Sequence, residues 1–133
     1  MNATMRVAVC DDALAVKLFL RQVLEEEGDM EVVSATSTGR EAIDDLARHQ
    51  PDALLLDLVL PDVAEPASLV RELRRRSPET LIVLISNMPA DDLAREAERL
   101  GADGWMPKAQ KPDQLRAAVR AAIGPRPEEA AAG

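Results

Sequence analysis

The stretch DALLLDLVLP, residues 52–61, places one carboxylate, Asp57, within a run of leucines. A short and almost continuously apolar run between turn-forming residues is typical of a parallel strand that is buried on both faces. A charged group at the end of such a strand costs free energy unless a partner offsets the charge or the protein uses it. The stretch therefore predicts a buried strand that ends at a functional acid.

Four other short runs resemble this strand, and a helical pattern lies in the gap after each of the five. Gly28 and Gly101 stand where two of these helices would end, and Pro112 stands where the last helix would begin. Five successive strand–helix pairs predict an α/β fold, a three-layer (βα)5 sandwich around a parallel five-stranded sheet. The five runs are RVAVC (6–10), EVVSA (31–35), ALLLDL (53–58), LIVLIS (81–86) and GWM (104–106).

The strand order cannot be read from spacing alone. The flavodoxin-like order 2-1-3-4-5 would make strands 1, 3, 4 and 5 consecutive neighbours, with the ligand site at their carboxyl ends. We expect one domain over residues 1–124. Residues 125–133, PRPEEAAAG, carry no apolar stripe, and we expect a flexible tail or a truncated linker there.

The composition narrows the class of protein. Of the 133 residues, 47% are hydrophobic, which argues against a disordered chain. No run reaches the roughly 18 apolar residues of a membrane span, and the N-terminus lacks the apolar stretch of a signal peptide. The net charge of −8 disfavours nucleic acid binding, and the single cysteine, Cys10, excludes an internal disulfide. These features predict a cytoplasmic protein.

Polar residues follow four of the predicted strands at their carboxyl ends. Asp11 and Asp12 follow strand 1, Asp57 lies near the end of strand 3, Ser86 ends strand 4 and Lys108 follows strand 5. In the order 2-1-3-4-5 these groups would converge. Clustered carboxylates with room for water suit Mg²⁺, and a cation beside an ammonium and a hydroxyl suits a phosphoryl group.

The segments CDD, LLLDLVLP, VLIS and GADGWMPK together resemble the receiver domain of two-component response regulators. The resemblance covers about residues 5–123. The GADGW..K segment is similar to receivers that precede helix-turn-helix output domains, although this chain contains no such domain. The resemblance implies a chemotaxis-protein-like fold and a single-domain or isolated receiver.

The resemblance also implies the chemistry of the site. Asp57 would accept a phosphoryl group from phosphohistidine, and Ser86 and Lys108 would bind the phosphoryl oxygens. Mg²⁺ would be held by Asp57 and the carbonyl of Val59, together with Asp11 and Asp12. The protein would then be a phosphoacceptor with autocatalytic phosphoryl transfer and slow self-dephosphorylation, and not a turnover enzyme.

The implied partners are a sensor histidine kinase or a histidine phosphotransfer protein, and a downstream protein target. Phosphorylation would switch the face formed by the fourth helix, the fifth strand and the fifth helix, with Ser86 and Trp105 as the moving residues. Neither membrane binding nor direct nucleic acid binding is expected. Ser86 as a simple helix cap and Trp105 as simple packing remain open alternatives.

Three departures from the family pattern support a second hypothesis, a receiver-like binding module that acts without phosphorylation. Lys108 precedes Ala109 and not proline, so the bond should be trans. Asn87 is larger than the residue usual after the hydroxyl, and the loop after strand 3 carries Ala64-Glu65-Pro66. A small-molecule phosphatase is a third and weaker alternative. We also expect removal of Lys108 to change stability little.

Overall fold

The computed structural model describes residues 4–124, which form a five-stranded sheet with helices on both faces. The strand order is β2-β1-β3-β4-β5, and all four strand pairs are parallel. The predicted three-layer α/β fold with the flavodoxin-like order is therefore confirmed. Its elements are β1 (Met5–Cys10), α1 (Leu14–Glu25), β2 (Met30–Thr36), α2 (Gly39–His49), β3 (Ala53–Asp57), α3 (Pro66–Arg76), β4 (Leu81–Ser86), α4 (Ala90–Leu100), β5 (Gly104–Pro107) and α5 (Pro112–Ile123).

The central strand β3 is buried along its whole length, as its leucine-rich sequence predicts. Leu54 and Leu56 face a core shared with α2, α3 and α4, whereas Leu55 faces a second core shared with α1 and α5. Alternate side chains of one strand thus fill two cores, which explains the continuous apolar run. The strand is one residue shorter than expected and ends at Asp57, although the Leu58 amide still donates to the Ile85 carbonyl.

Local sequence explains where several helices begin and end. Thr38 caps α2, because its hydroxyl accepts from the Glu41 amide while the Glu41 carboxylate accepts from the Ser37 amide. Gly101 ends α4 with φ of 71°, a left-handed conformation that suits glycine. Pro112 opens α5, where its missing amide hydrogen removes no helical bond.

Helix α5 is tied to the end of α1 by a group of charged side chains. Arg116 is 7% exposed, and its guanidinium donates to the Val23 carbonyl and to Glu26. One turn later, Arg120 pairs with Asp29 at 2.7 Å and with Glu27 at 2.6 Å. These contacts fix α5, from Arg116 onward, against the end of α1 and the residues that follow it.

Within the described range, no helix is both long and apolar enough to cross a lipid bilayer. The expected tail, residues 125–133, lies outside the described residues, so the proposed domain boundary at residue 124 stays a prediction.

Candidate functional site

The strand order brings the predicted polar residues to one edge of the sheet. β1, β3, β4 and β5 are consecutive neighbours, and their carboxyl ends carry the two acids after β1, the acid that ends β3, the hydroxyl that ends β4 and the lysine after β5. The backbone holds this edge together, because the Lys108 amide donates to the Ser86 carbonyl at 3.0 Å and the Asp11 amide donates to the Thr36 carbonyl. The order that the spacing could not settle is therefore the one that gathers the site.

Lys108 lies between two buried carboxylates. Its Nζ is 2.6 Å from Asp11 Oδ2 and 3.2 Å from Asp57 Oδ1. The Asp11 side chain is completely buried, and its other oxygen accepts from the Ala13 amide. Oδ2 of Asp11 receives no well-aligned hydrogen bond within residues 4–124, so the ammonium meets it as an ion pair. Removal of Lys108 would leave two buried acids unpaired, and the expectation that it changes stability little therefore has no support in this geometry.

The carboxylates of Asp11, Asp12 and Asp57 form a cluster that fits a divalent cation. One oxygen from each lies within 4.8 Å of the other two. Asp11 and Asp57 are buried and Asp12 is exposed, so the site opens to solvent on one side. A hard cation with few protein ligands and several waters, such as Mg²⁺, suits this donor set.

Val59 follows the acceptor on a short turn. Its amide donates to Asp57 Oδ1 at 3.2 Å, and its side chain is 72% exposed. This bond holds the Asp57 carboxylate against the start of the loop. The role of the Val59 carbonyl as a metal ligand stays a prediction.

The charged groups of the site shift one another's pKa values. Burial raises the pKa of Asp57, and the neighbouring Asp11 raises it further, against the hydrogen bonds from Val59 and Lys108. Burial alone would lower the pKa of Lys108, but its bonds to Asp11 and Asp57 outweigh burial and raise it. Burial also raises the pKa of the Cys10 thiol to about 11, so this neighbouring sulfur is a neutral core group.

Ser86 is buried, and its hydroxyl oxygen accepts from the Met88 amide at 3.1 Å. This local turn agrees with the capping alternative. A hydroxyl that accepts one bond still carries a hydrogen that it can donate, so the turn and a phosphoryl contact are compatible. Trp105 lies on the edge strand β5 opposite Leu84 and is 39% exposed. The role of Trp105 as a switch stays a prediction.

One contact near the site was not predicted from the sequence. The carboxylate of Asp62, in the loop after β3, accepts from the amides of Gly39 and Arg40 at the start of α2. No local sequence pattern predicts a contact between residues more than twenty positions apart. The peptide bonds over residues 4–124 are all trans, in agreement with the expectation for Lys108-Ala109.

Comparison with known proteins agrees with this architecture. The chain belongs to the response regulator receiver domain family, whose model matches residues 7–120. Among curated relatives, the oxygen regulatory protein NreC of Staphylococcus haemolyticus is 29% identical over 116 residues, which are 87% of this chain and 54% of that protein. NreC of Staphylococcus aureus (strain Mu3) is 28% identical with the same coverage. The chain thus spans about half the length of these relatives.

Solved structures show the same likeness. The receiver domain of the putative response regulator NarL from Mycobacterium tuberculosis superposes with a TM-score of 0.82 at 26% identity, over 92% of this chain and 98% of that one. CheY6 of R. sphaeroides, solved in complex with the P1 domain of CheA3, gives a TM-score of 0.78 at 26% identity, over 91% of this chain and 98% of the matched chain. The chain is therefore a response regulator receiver by sequence as well as by fold.

Proposed function

We propose that this receiver is a phosphoacceptor whose Mg²⁺-dependent phosphorylation on Asp57 switches a protein-binding surface. The observation that supports this function best is the arrangement of Asp57 between Lys108 and two further acids at one sheet edge. In the unmodified protein, the negative charge of the three carboxylates exceeds the positive charge of the one ammonium group. A divalent cation would balance that excess, and the cation and the Lys108 ammonium would then face the negative charge that a phosphoryl group brings.

The transfer step follows from the contacts of Asp57. A carboxylate oxygen of Asp57 forms a bond to phosphorus as the bond from phosphorus to the imidazole nitrogen of phosphohistidine breaks, and the electron pair leaves with the imidazole. Mg²⁺, held by Asp11, Asp12 and Asp57 with the Val59 carbonyl, would neutralise charge on the phosphoryl oxygens. The Lys108 ammonium is already 3.2 Å from Asp57, so it meets the incoming phosphoryl oxygens without a large movement. Ser86 donates its hydroxyl hydrogen to the same group.

Intact-mass spectrometry tests the proposal directly. The protein, incubated with Mg²⁺ and a small phosphodonor, should gain about 80 Da, the mass of one phosphoryl group. Asp57→Asn and an excess of chelator should each abolish the gain. Asp103→Asn, which changes an acid away from the site, should leave labelling unchanged. Labelling of the Asp57→Asn variant would refute the assignment. A chain that folds but never labels would instead support the constitutive binding module.

The readout is proposed to run through Ser86 and Trp105. A phosphoryl group on Asp57 offers the Ser86 hydroxyl a new acceptor, and movement of Ser86 towards it vacates space beside β5. The Trp105 ring on that edge strand can then turn inward and reshape the face formed by α4, β5 and α5, which would bind the downstream protein target. Phosphorylation need only favour this arrangement by differential binding, about 1.4 kcal/mol for each tenfold shift in population.

Trp105 is the chain's only tryptophan, so its fluorescence reports this one position. Beryllofluoride with Mg²⁺, a phosphoryl mimic, should change the emission of the wild type. Asp57→Asn should abolish the change and Ser86→Ala should reduce it. Unchanged emission at confirmed occupancy would leave Trp105 as packing.

A second surface fits the partner that carries the phosphohistidine. Three large apolar side chains of α1 are exposed: Leu14 by 66%, Leu18 by 58% and Phe19 by 39%. Phe19 lines an apolar cavity of about 180 Å³ that also reaches Lys108 at the site. A sensor histidine kinase or histidine phosphotransfer protein that packs an apolar helical surface here would bring its histidine close to Asp57. CheY6, whose structure includes the P1 domain of CheA3, shows that a similar fold does bind a partner domain.

A charge on this surface separates docking from chemistry. Leu18→Asp should reduce phosphorylation by a protein donor but leave labelling by a small phosphodonor unchanged. Equal loss with both donors would show damage to the site itself. The net charge of −8 favours protein partners over nucleic acid, and the reduced Cys10 suits a cytoplasmic location.

A further inference from the structure

The loop between β3 and α3, residues 58–65, is fastened to α2 by one side chain. The Asp62 carboxylate accepts from the Gly39 amide at 2.9 Å through Oδ1 and from the Arg40 amide at 3.2 Å through Oδ2. Within the described part of the chain, every other hydrogen bond of residues 59–65 stays within the loop or goes to β3 or α3, the two elements that the loop joins. Asp62 is therefore the polar connection between this loop and the rest of the fold.

The packing beneath Asp62 is correspondingly close. A Cβ placed on Gly39 would lie 2.7 Å from Val63 Cγ2 and 3.2 Å from Leu69 Cδ1, so only glycine lets the loop approach this far. The next two amides of α2 find acceptors outside the loop. The Glu41 amide donates to the Thr38 hydroxyl, and the Ala42 amide donates to the Thr38 carbonyl. The first two amides of α2 are thus bonded to a carboxylate from the loop. These donors lower the pKa of Asp62, which is therefore a carboxylate at neutral pH.

The loop that Asp62 holds is also the loop that begins at the acceptor. The Leu58 amide is bonded to β4, the Val59 amide to Asp57, and Leu60 is 4% exposed in the core. In the chain, Val59 lies between the acceptor and the buried Leu60. The contact of Asp62 with α2 fixes the segment that follows Leu60. With both sides fixed, the backbone of Val59 has little freedom to move relative to Asp57.

We propose that Asp62 is a positioning residue for the cation site: by tying the loop to α2 it fixes the Val59 segment in the arrangement that binds Mg²⁺. This inference rests on the proposed function of the acidic cluster. It makes the amino end of α2 part of the supporting structure of a site that α2 does not touch. Supporting contacts of this kind change metal affinity without supplying a ligand.

Mg²⁺ titration of the unphosphorylated protein, followed by amide NMR shifts, measures this directly. Asp62→Ala should weaken Mg²⁺ binding by about tenfold, the lower end for loss of an outer supporting contact. Asp62→Asn removes the charge and keeps one acceptor oxygen, which can serve only one of the two amides, so it should weaken binding less than Asp62→Ala. Gly39→Ala leaves Asp62 in place but pushes Val63 away, and it should weaken binding in the same direction. The matched control is Thr38→Ala, which removes a cap bond at the same helix end without touching the loop.

The outcomes separate the two claims. If the wild type shows no Mg²⁺-dependent shifts at the acidic cluster, the proposed function fails first. If the wild type binds Mg²⁺ and Asp62→Ala binds it equally, only the positioning role is refuted. Weakening in Asp62→Ala without weakening in Gly39→Ala, which keeps the Asp62 charge, would assign the effect to charge and overturn the proposal, as would equal weakening in Thr38→Ala. Melting temperatures of all variants show whether each has folded, and Gly39→Ala keeps the test open if Asp62→Ala does not.

Discussion

Replacement of the phosphoacceptor should make the metal-free protein more stable. Asp57→Asn keeps the shape of the side chain and its acceptor for the Val59 amide, but it removes a buried charge beside two other acids. Lys108 remains paired with Asp11 in the variant, because that contact, at 2.6 Å, does not involve Asp57. The substitution therefore removes a repulsion without leaving an unpaired ion.

The size of the gain follows from the distances. At an effective dielectric constant of about 20, two carboxylates 4.8 Å apart repel by about 3.5 kcal/mol. On the same scale, the Lys108 ammonium at 3.2 Å attracts Asp57 by about 5 kcal/mol. Asp11 is buried and repels Asp57 in full, whereas the exposed Asp12 is screened. These two figures leave about 1.5 kcal/mol in favour of the charged form, but the cost of burying one carboxylate is several kcal/mol and exceeds it. We therefore expect a net gain of about 1–2 kcal/mol, or about 3–6 °C in melting temperature.

The raised pKa of Asp57 adds a pH dependence with a defined sign. The folded protein binds this proton more tightly than the unfolded chain, so the ionised carboxylate lowers stability above its folded pKa. That penalty disappears as the pH falls towards the ordinary aspartate pKa of 3.8. The difference in melting temperature between Asp57→Asn and wild type should therefore shrink on acidification.

Thermal melting with and without magnesium chloride, at neutral pH and at about pH 4, is the assay. Magnesium should stabilise the wild type more than Asp57→Asn, because the cation removes the same repulsion. Asp29→Asn is the matched control of opposite sign: hydrogen bonds from Arg120 lower the pKa of Asp29, so its loss should lower the melting temperature at neutral pH. A less stable Asp57→Asn protein in the absence of metal would refute the reasoning.

Three further outcomes follow from the same geometry. Lys108→Ala should lower the free energy of unfolding by about 3 kcal/mol, the lower end for removal of one partner of a buried ion pair, and a chemical denaturation curve like that of wild type would contradict this. Val59→Asn and Met88→Gln should each speed loss of the phosphoryl group, because apolar side chains at these positions cannot orient the attacking water; mass spectrometry over time gives the decay, and unchanged decay would dismiss the explanation. Arg116→Met should lower the melting temperature less than Arg116→Ala, because methionine keeps the packing between α1 and α5, and equal losses would show that charge alone matters.

The sequence predicted the fold and the members of the site because both depend on local patterns. The leucine run at 53–58 predicts a strand buried on both faces whatever lies beside it, and the acids and Lys108 follow directly from the ends of such strands. The strand order was open, because spacing does not say which strands pair. The resemblance to receivers supplied an expectation, and the pairing of β3 with both β1 and β4 confirmed it.

Contacts between distant segments were beyond the reach of sequence patterns. The small effect expected for Lys108 was judged from the lysine alone, whereas the structure pairs it with a completely buried Asp11. Arg116 falls on the inner side of α5 and is buried, although an arginine in an amphipathic helix normally indicates the solvent side. In the sequence, Asp62 resembles any acidic residue of a loop, and only the structure shows its contact with α2.

The charged contacts between α5 and α1 have a mechanical consequence. Arg116 and Arg120 pin the helix from its fifth residue onward, whereas residues 111–114 at its N-terminal end are exposed. α5 is thus held at its C-terminal end and is less constrained at its N-terminal end. If the segment that carries Lys108 is displaced, it moves the N-terminal end of α5. The helix then tilts about its pinned C-terminal end and does not slide along α1. A partner that binds this face would therefore detect a change in the angle of α5. The displacement would be largest beside Lys111 and would vanish towards Arg120.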